Sequence, residues 1–254
     1  VGLGGAEISA YDPASQRLFV TNGATNQIDI VNIAIPSAPK KVKSIDLASK
    51  GVIGIQSVAV KDGLVAIAAS VTSTQSNGRI FFADTNGKLI AGVTNGIEVG
   101  ALPDHVSFSP NGRYLLSANE GEPASYCLTN GVLPTTTDPY GTISIIDVSG
   151  AVPSAAITLN FESYNDRAGA ITFQGGRIFG PNASVAQDVE PEYITFSSDS
   201  KYAYVTLQEN NAIATIDMAT KTISEISGLN TKNHSVAGKG LDAISNSTPT
   251  IATQ

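Results

Sequence analysis

The chain has 254 residues and a formal net charge of -7, with 15 Lys and Arg against 22 Asp and Glu. An acidic chain without clustered basic side chains cannot neutralise a phosphate backbone, which argues against a nucleic-acid partner and favours cations or basic surfaces. No apolar run approaches the length of a membrane span, and the single Cys127 rules out an intrachain disulfide.

Taken in chain order, the first unit opens with the alternating run 7–13 (EISAYDP), then 17–21 (RLFVT), 27–31 (QIDIV) and the more polar 41–47 (KVKSIDL). Alternation of period two, broken by turn residues, predicts strands joined by hairpins. The gradient from apolar to polar predicts a blade whose outer edge meets water and is guarded by Lys41 and Lys43. The same phrase returns three times. Its openings are 56–63 (QSVAVKDG), 103–112 (PDHVSFSPNG) and 191–199 (PEYITFSSD), and its third strands are 26–32 (NQIDIVN), 78–84 (GRIFFAD), 141–147 (GTISIID) and 211–217 (NAIATID). A long unit recurring along the chain predicts an all-β fold, a β-propeller of four-stranded antiparallel blades.

The blades fall at 7–50, 51–100, 101–160 and 189–228. In the third, 120–140 is an insertion and 154–159 the outer strand. The stretch 161–188 is a long connection, expected to be ordered, with Phe179 largely buried and Arg167 and Arg177 paired with Asp166, Asp188 or Glu190. Residues 229–254 form a polar tail or the start of a further blade. The chain opens on an inner strand and the fourth unit closes on an outer one, so no run can complete a shared closing blade. A partial ring follows, about four blades of a larger propeller, whose first and last blades pack against further blades of the same polypeptide or against another protein subunit.

The phrases 103–112, 118–123 (ANEGEP), 177–181 (RIFGP), 184–188 (SVAQD), 190–193 (EPEY) and 205–211 (VTLQENN) resemble the choice-of-anchor I family of bacterial surface proteins. That family is similar to the mesenchyme-specific cell-surface glycoproteins, and some of its members carry alkaline-phosphatase labels. The resemblance implies a secreted or cell-surface, extracytoplasmic propeller with more blades than this chain contains. After 240–243 (GLDA) the family continues into an acidic, Ca-loop-like stretch; this chain departs from it there.

Carboxylates provide the candidate chemistry. Asp104 and Glu192 hold equivalent positions at inner-strand starts, Glu120 and Gln208 equivalent positions at second-strand ends, and Glu122, Asp138, Asp188 and Glu190 lie nearby. Inner-strand starts face the central channel, so Asp104, Glu120, Glu122, Asp188, Glu190 and Glu192 are the candidate ligands of a hard cation such as Ca²⁺, which takes several oxygens. The alternative is that these acids accept backbone N–H bonds in tight loops or stay solvated. The terminal residues Asn32, Asp84, Asp147 and Asp217 are expected to cap turns, and His105 to be packed or hydrogen-bonded. No H-E-x-x-H, G-x-S-x-G or phosphate-loop pattern is present. The leading functional reading is a non-enzymatic binding or scaffold module carrying Ca²⁺. The alternatives are a metal-dependent phosphoesterase of the propeller type and a structural subunit of a surface assembly.

Overall fold

The computed structural model describes residues 5–126, 138–180, 182–234 and 236. Cys127 lies outside them. The described residues form four four-stranded sheets, each a sequential antiparallel meander. The first contains β1 (Ala6–Asp12), β2 (Arg17–Asn22), β3 (Gln27–Asn32) and β4 (Lys40–Asp46). The second contains β5 (Val52–Lys61), β6 (Leu64–Val71), β7 (Asn77–Asp84) and β8 (Ile97–Ala101). The third contains β9 (Pro103–Phe108), β10 (Tyr114–Asn119), β11 (Thr142–Asp147) and β12 (Ile157–Asn160). The fourth contains β13 (Pro191–Phe196), β14 (Tyr202–Leu207), β15 (Ala212–Asp217) and β16 (Thr222–Gly228). The inner strands β1, β5, β9 and β13 neighbour one another in that order. All four contribute to the wall of one cavity of about 350 Å³, through Ile8, Val58, His105 and Tyr193 among others. These are the blades of a β-propeller.

Local chemistry explains why the chain turns where it does. Lys61 pairs with Leu64 across the two-residue loop Asp62-Gly63, whose φ values of 49° and 81° are the left-handed pair that a tight hairpin with the strands' own twist requires. The residues ending the third strands cap the following turns. Asn32 Oδ1 accepts from the Ala34 N–H, Asp84 Oδ1 from Asn86 and Lys88, Asp147 Oδ1 from Ser149, and Asp217 Oδ1 from Ala219 and Thr220. The outer strand of the third blade begins later than the sequence pattern predicts. Ser154 is held at the turn, its N–H on the Asp147 carbonyl and its hydroxyl accepting from the Asp147 N–H, so pairing starts at Ile157.

Because side chains alternate across a strand, each blade has a rearward face toward the preceding blade and a forward face toward the following one. Phe19, Ile28 and Ile30 of the first blade pack forward onto Val65, Ile67 and Phe81 of the second. Ala66, Ala68, Ile80 and Phe82 pack forward onto Val106, Leu115 and Ile146 of the third. Tyr114, Leu116, Ala118, Ile143 and Ile145 pack forward onto Ala203, Val205, Leu207, Ala214 and Ile216 of the fourth. Strands β6 and β10 of the two middle blades are therefore buried on both faces, whereas β2 and β14 alternate between buried and open. The polar side chains at the second interface are matched: Asn119 Nδ2 donates to the Thr142 carbonyl and to the Thr142 and Ser144 hydroxyls, while its Oδ1 accepts from Ser117.

The described residues of the connection, 161–180 and 182–188, fold back against the third and fourth blades. They contain a 3-10 turn (Glu162–Arg167), α1 (Ala168–Phe173) and α2 (Val185–Asp188), and they bury Phe161, Tyr164, Ile171, Val185 and Ala186 in the core shared by the third and fourth blades. Ser184 starts α2 with a reciprocal capping box to Gln187. Phe179 departs from expectation: its side chain is 44% exposed. The backbone, rather than the ring, is the anchor here, with the Phe179 and Gly180 N–H groups donating to Asp188, while the Arg177 guanidinium lies 4.7 Å over the ring.

Candidate acidic site at the channel end

The blade repeat builds an acid-rich end from a recurring irregularity. Each inner strand carries a register shift against its second strand near its start: between Ala6 and Ser9, between Ile55 and Ser57, between Pro103 and His105, and between Pro191 and Ile194. Val20, Ile67, Ser117 and Val205 occupy matching positions on the second strands, and their inner-strand partners are Ser9, Val58, Val106 and Ile194. Two residues earlier on the inner strands stand Glu7, Gln56, Asp104 and Glu192, all oxygen-bearing. A bulge releases a residue from the ladder and re-aims its side chain, and bulges recur beside functional sites. The freed backbone is satisfied locally: the Ile8 and Tyr193 N–H groups donate to the Thr21 and Thr206 hydroxyls at equivalent second-strand positions, and the Gln56 side chain accepts from the Ser70 N–H.

The loops from second to third strand leave at this same end and add Glu120, Glu122 and Glu209. Glu190 is almost completely buried and accepts from the Tyr126 hydroxyl at 2.9 Å; that hydroxyl also reaches Glu122 at 3.4 Å. Glu192 accepts from Gln208. None of the ion pairs among the described residues involves these acids, so their charges are compensated by no Lys or Arg contact. Burial first, then the neighbouring Asp104, Glu122, Glu192 and Glu190, push Glu120 up to about 9. Burial and then Glu209 push Glu192 up to about 8, and burial pushes Glu190 up to about 7 against the hydrogen bond from Tyr126. Asp104 is raised by burial and then by Glu7 and Glu122. The same contact with burial and carboxylates raises the Tyr126 hydroxyl. At neutral pH, Glu120 therefore keeps its proton in the folded protein.

Of the six acids expected from sequence, Asp104, Glu120, Glu122, Glu190 and Glu192 influence one another electrostatically. Asp188 adds to the rise of Glu190 through its charge, but its own carboxylate is held by other partners. It accepts from the Phe179 and Gly180 N–H groups and from Asn210 Nδ2 at 2.9 Å, and it raises the neighbouring Asp138, which burial pushes up to about 6. Asp188 thus acts as a buried tie. Its partner Asn210 is fully buried and also donates to the Asp188 and Arg177 carbonyls while accepting from the Glu190 N–H. Among the described residues, no three His, Cys, Asp or Glu side chains converge closely enough to hold a metal ion as they stand. His105 is packed and bonded, accepting from the Ile194 N–H at 3.2 Å and stacking on Tyr193 at 3.8 Å; burial lowers it to about 4, which keeps it neutral. Glu7 and Glu209 were missed as members of the cluster. Aligning the inner-strand starts would have found Glu7, and the adjacency of Glu209 to Gln208 would have found the other.

Fold and site together define a β-propeller with an acidic channel end that no Lys or Arg contacts among the described residues. The model of the choice-of-anchor I domain matches residues 7–253, and the chain belongs to that family. None of the curated proteins matches it. A chain of a nidogen/laminin complex is similar in fold, at 12% identity and a TM-score of 0.51, over 88% of this chain and 63% of its own. A protein from Lactobacillus plantarum is similar at 14% identity and a TM-score of 0.51, over 87% of this chain and 56% of its own. The chain thus spans less than two thirds of the length of either. No helix among the described residues is long and apolar enough to cross a membrane.

Proposed function

We propose that the chain is a non-enzymatic binding and scaffold module of a secreted or cell-surface propeller, and that its acidic channel end takes up a hard divalent cation, Ca²⁺ first. The observation that carries this reading is the group Asp104, Glu120, Glu190 and Glu192. Burial and neighbouring carboxylates raise all four, and among the described residues none of them pairs with Lys or Arg. Burying like charges is costly unless something neutralises them. Protons serve at neutral pH; a cation with several oxygen ligands serves better once side chains draw inward, and Ca²⁺ tolerates irregular oxygen cages. Glu122 and Glu7 complete the donor set at the rim, and Asp188 supports it from behind through Asn210. Extracytoplasmic fluids are where a site of moderate Ca²⁺ affinity fills.

Isothermal titration with CaCl₂ at pH 8 tests the reading on the wild-type chain and on E120Q/E192Q. Saturable binding to the wild type, weakened at least tenfold in the variant and by acidification to pH 6, is the expected result. Absence of binding at pH 8, or equal binding by both proteins, would refute the cation site.

A further inference from the structure

The interior of the channel, one residue inward from its acidic mouth, has chemistry of its own. Ile8, Ser57, His105 and Tyr193 hold equivalent positions on the four inner strands, directly after Glu7, Gln56, Asp104 and Glu192. Two of them bind the next blade: Ser57 Oγ accepts from the Val106 N–H at 3.4 Å, and His105 Nδ1 from the Ile194 N–H at 3.2 Å. A ring nitrogen that accepts carries no proton, so the imidazole of His105 holds its proton on Nε2. That Nε2–H donates to none of the described residues, and His105 lines the cavity of about 350 Å³. Tyr193 lines it too, stacked on His105 with the ring centroids 3.8 Å apart and still 58% exposed. Ser9, Ser107 and the inner edges of β1, β5 and β9 continue the wall; the other edges of these strands pair with β2, β6 and β10.

We propose that this cavity binds an uncharged carbohydrate, a mono- or disaccharide whose C–H face lies on the Tyr193 ring and whose oxygens accept from His105 Nε2–H. Charge argues against the other classes. Among the described residues no carboxylate lines the cavity, so a cation finds no counter-charge there and meets the Nε2–H donor. An anion must pass Glu7, Asp104 and Glu192 at the mouth, and the lining cation Lys61 lies 4.0 Å from Asp62. A wholly apolar ligand would strip water from the imidazole N–H and the strand edges without replacing it. A sugar supplies both needs: a ring face of C–H groups for the aromatic plate, and a rim of hydroxyls that donate and accept at once. The volume stands at the lower end of the usual range for small-molecule sites, about 300–1,000 Å³, which suits a short saccharide. The site uses none of the carboxylates assigned to the cation and stands or falls independently of them.

Isothermal titration and NMR in chelator-containing buffer test the site with maltose, cellobiose, lactose and diacetylchitobiose as probes at millimolar concentration, and with glucuronate and glucosamine as charged comparators. At least one neutral probe should bind saturably, about tenfold or more weakly to Y193A and within about threefold of the wild type to Y193F. The charged comparators should bind more weakly than that probe. In the wild-type complex, nuclear Overhauser effects should link the sugar C–H protons to the Tyr193 ring, and the His105 Nε2 resonance should move while Nδ1 stays. These two signals need no variant and decide the matter even if Y193A fails to fold. Absence of binding by every neutral probe, binding that Y193A leaves unchanged, tighter binding of a charged comparator, or a bound sugar without contact to Tyr193 would overturn the proposal.

Discussion

Replacing Glu120 by Gln should stabilise the protein, and only above mildly acidic pH. Burial and four neighbouring carboxylates push Glu120 up to about 9, against about 4.3 for a free Glu. A carboxyl whose folded value is raised keeps its proton in the native state while the unfolded chain releases it. Its contribution to stability is therefore unchanged below the unfolded value and declines steadily as pH rises toward the folded value. At pH 7 the full shift corresponds to about 3.7 kcal/mol, taking about 1.36 kcal/mol per pH unit. Glu120 is only partly buried, and water screening of its neighbours reduces this to about 1–2 kcal/mol. Gln copies the protonated form and cannot ionise, so E120Q should match the wild type at pH 4 and exceed it by about 1–2 kcal/mol at pH 8, or roughly 4 °C in Tm for a chain of this size. Urea unfolding at pH 4, 6 and 8 in chelator-treated buffer measures the difference. A variant less stable at pH 8, or one offset equally at all three values, would refute the electrostatic reasoning.

Asn210→Ala removes three donated bonds and one accepted bond from a fully buried hub, and should cost about 2–4 kcal/mol through unsatisfied partners; trypsin cleavage after Arg177 in the native protein, slow in the wild type, should become fast. At Gly141 an added Cβ would overlap the Val189 carbonyl and lie 2.8 Å from Pro191 Cδ, so G141A should lose at least about 3 kcal/mol or fail to fold, which circular dichroism melts would register, while Gly150→Ala, whose nearest contact is an ordinary 3.4 Å, should stay within about 1 kcal/mol.

The blades were legible in the linear sequence because strand alternation, hairpin turns and Asx caps are local. The runs ending in Asn32, Asp84, Asp147 and Asp217 need only their own neighbours to form a turn, and they do so in each blade. Equivalence of Asp104 with Glu192 and of Glu120 with Gln208 also followed from the repeat alone. What the tertiary structure decided depends on contacts between residues distant in sequence. It gave Asp188 a tying role that the other acids lack, because Asn210 and the turn at Phe179 and Gly180 draw its carboxylate into the connection. It exposed Phe179, because that loop is held by backbone bonds that no side-chain hydropathy reports. It set which face of each blade looks forward, since alternation specifies two faces but only packing assigns each to a neighbour. And it raised Glu120 so far, because its desolvation and the field of Glu190 and Glu192 from the next blade, added to Asp104 and Glu122 of its own, exist only once the inner strands stand side by side.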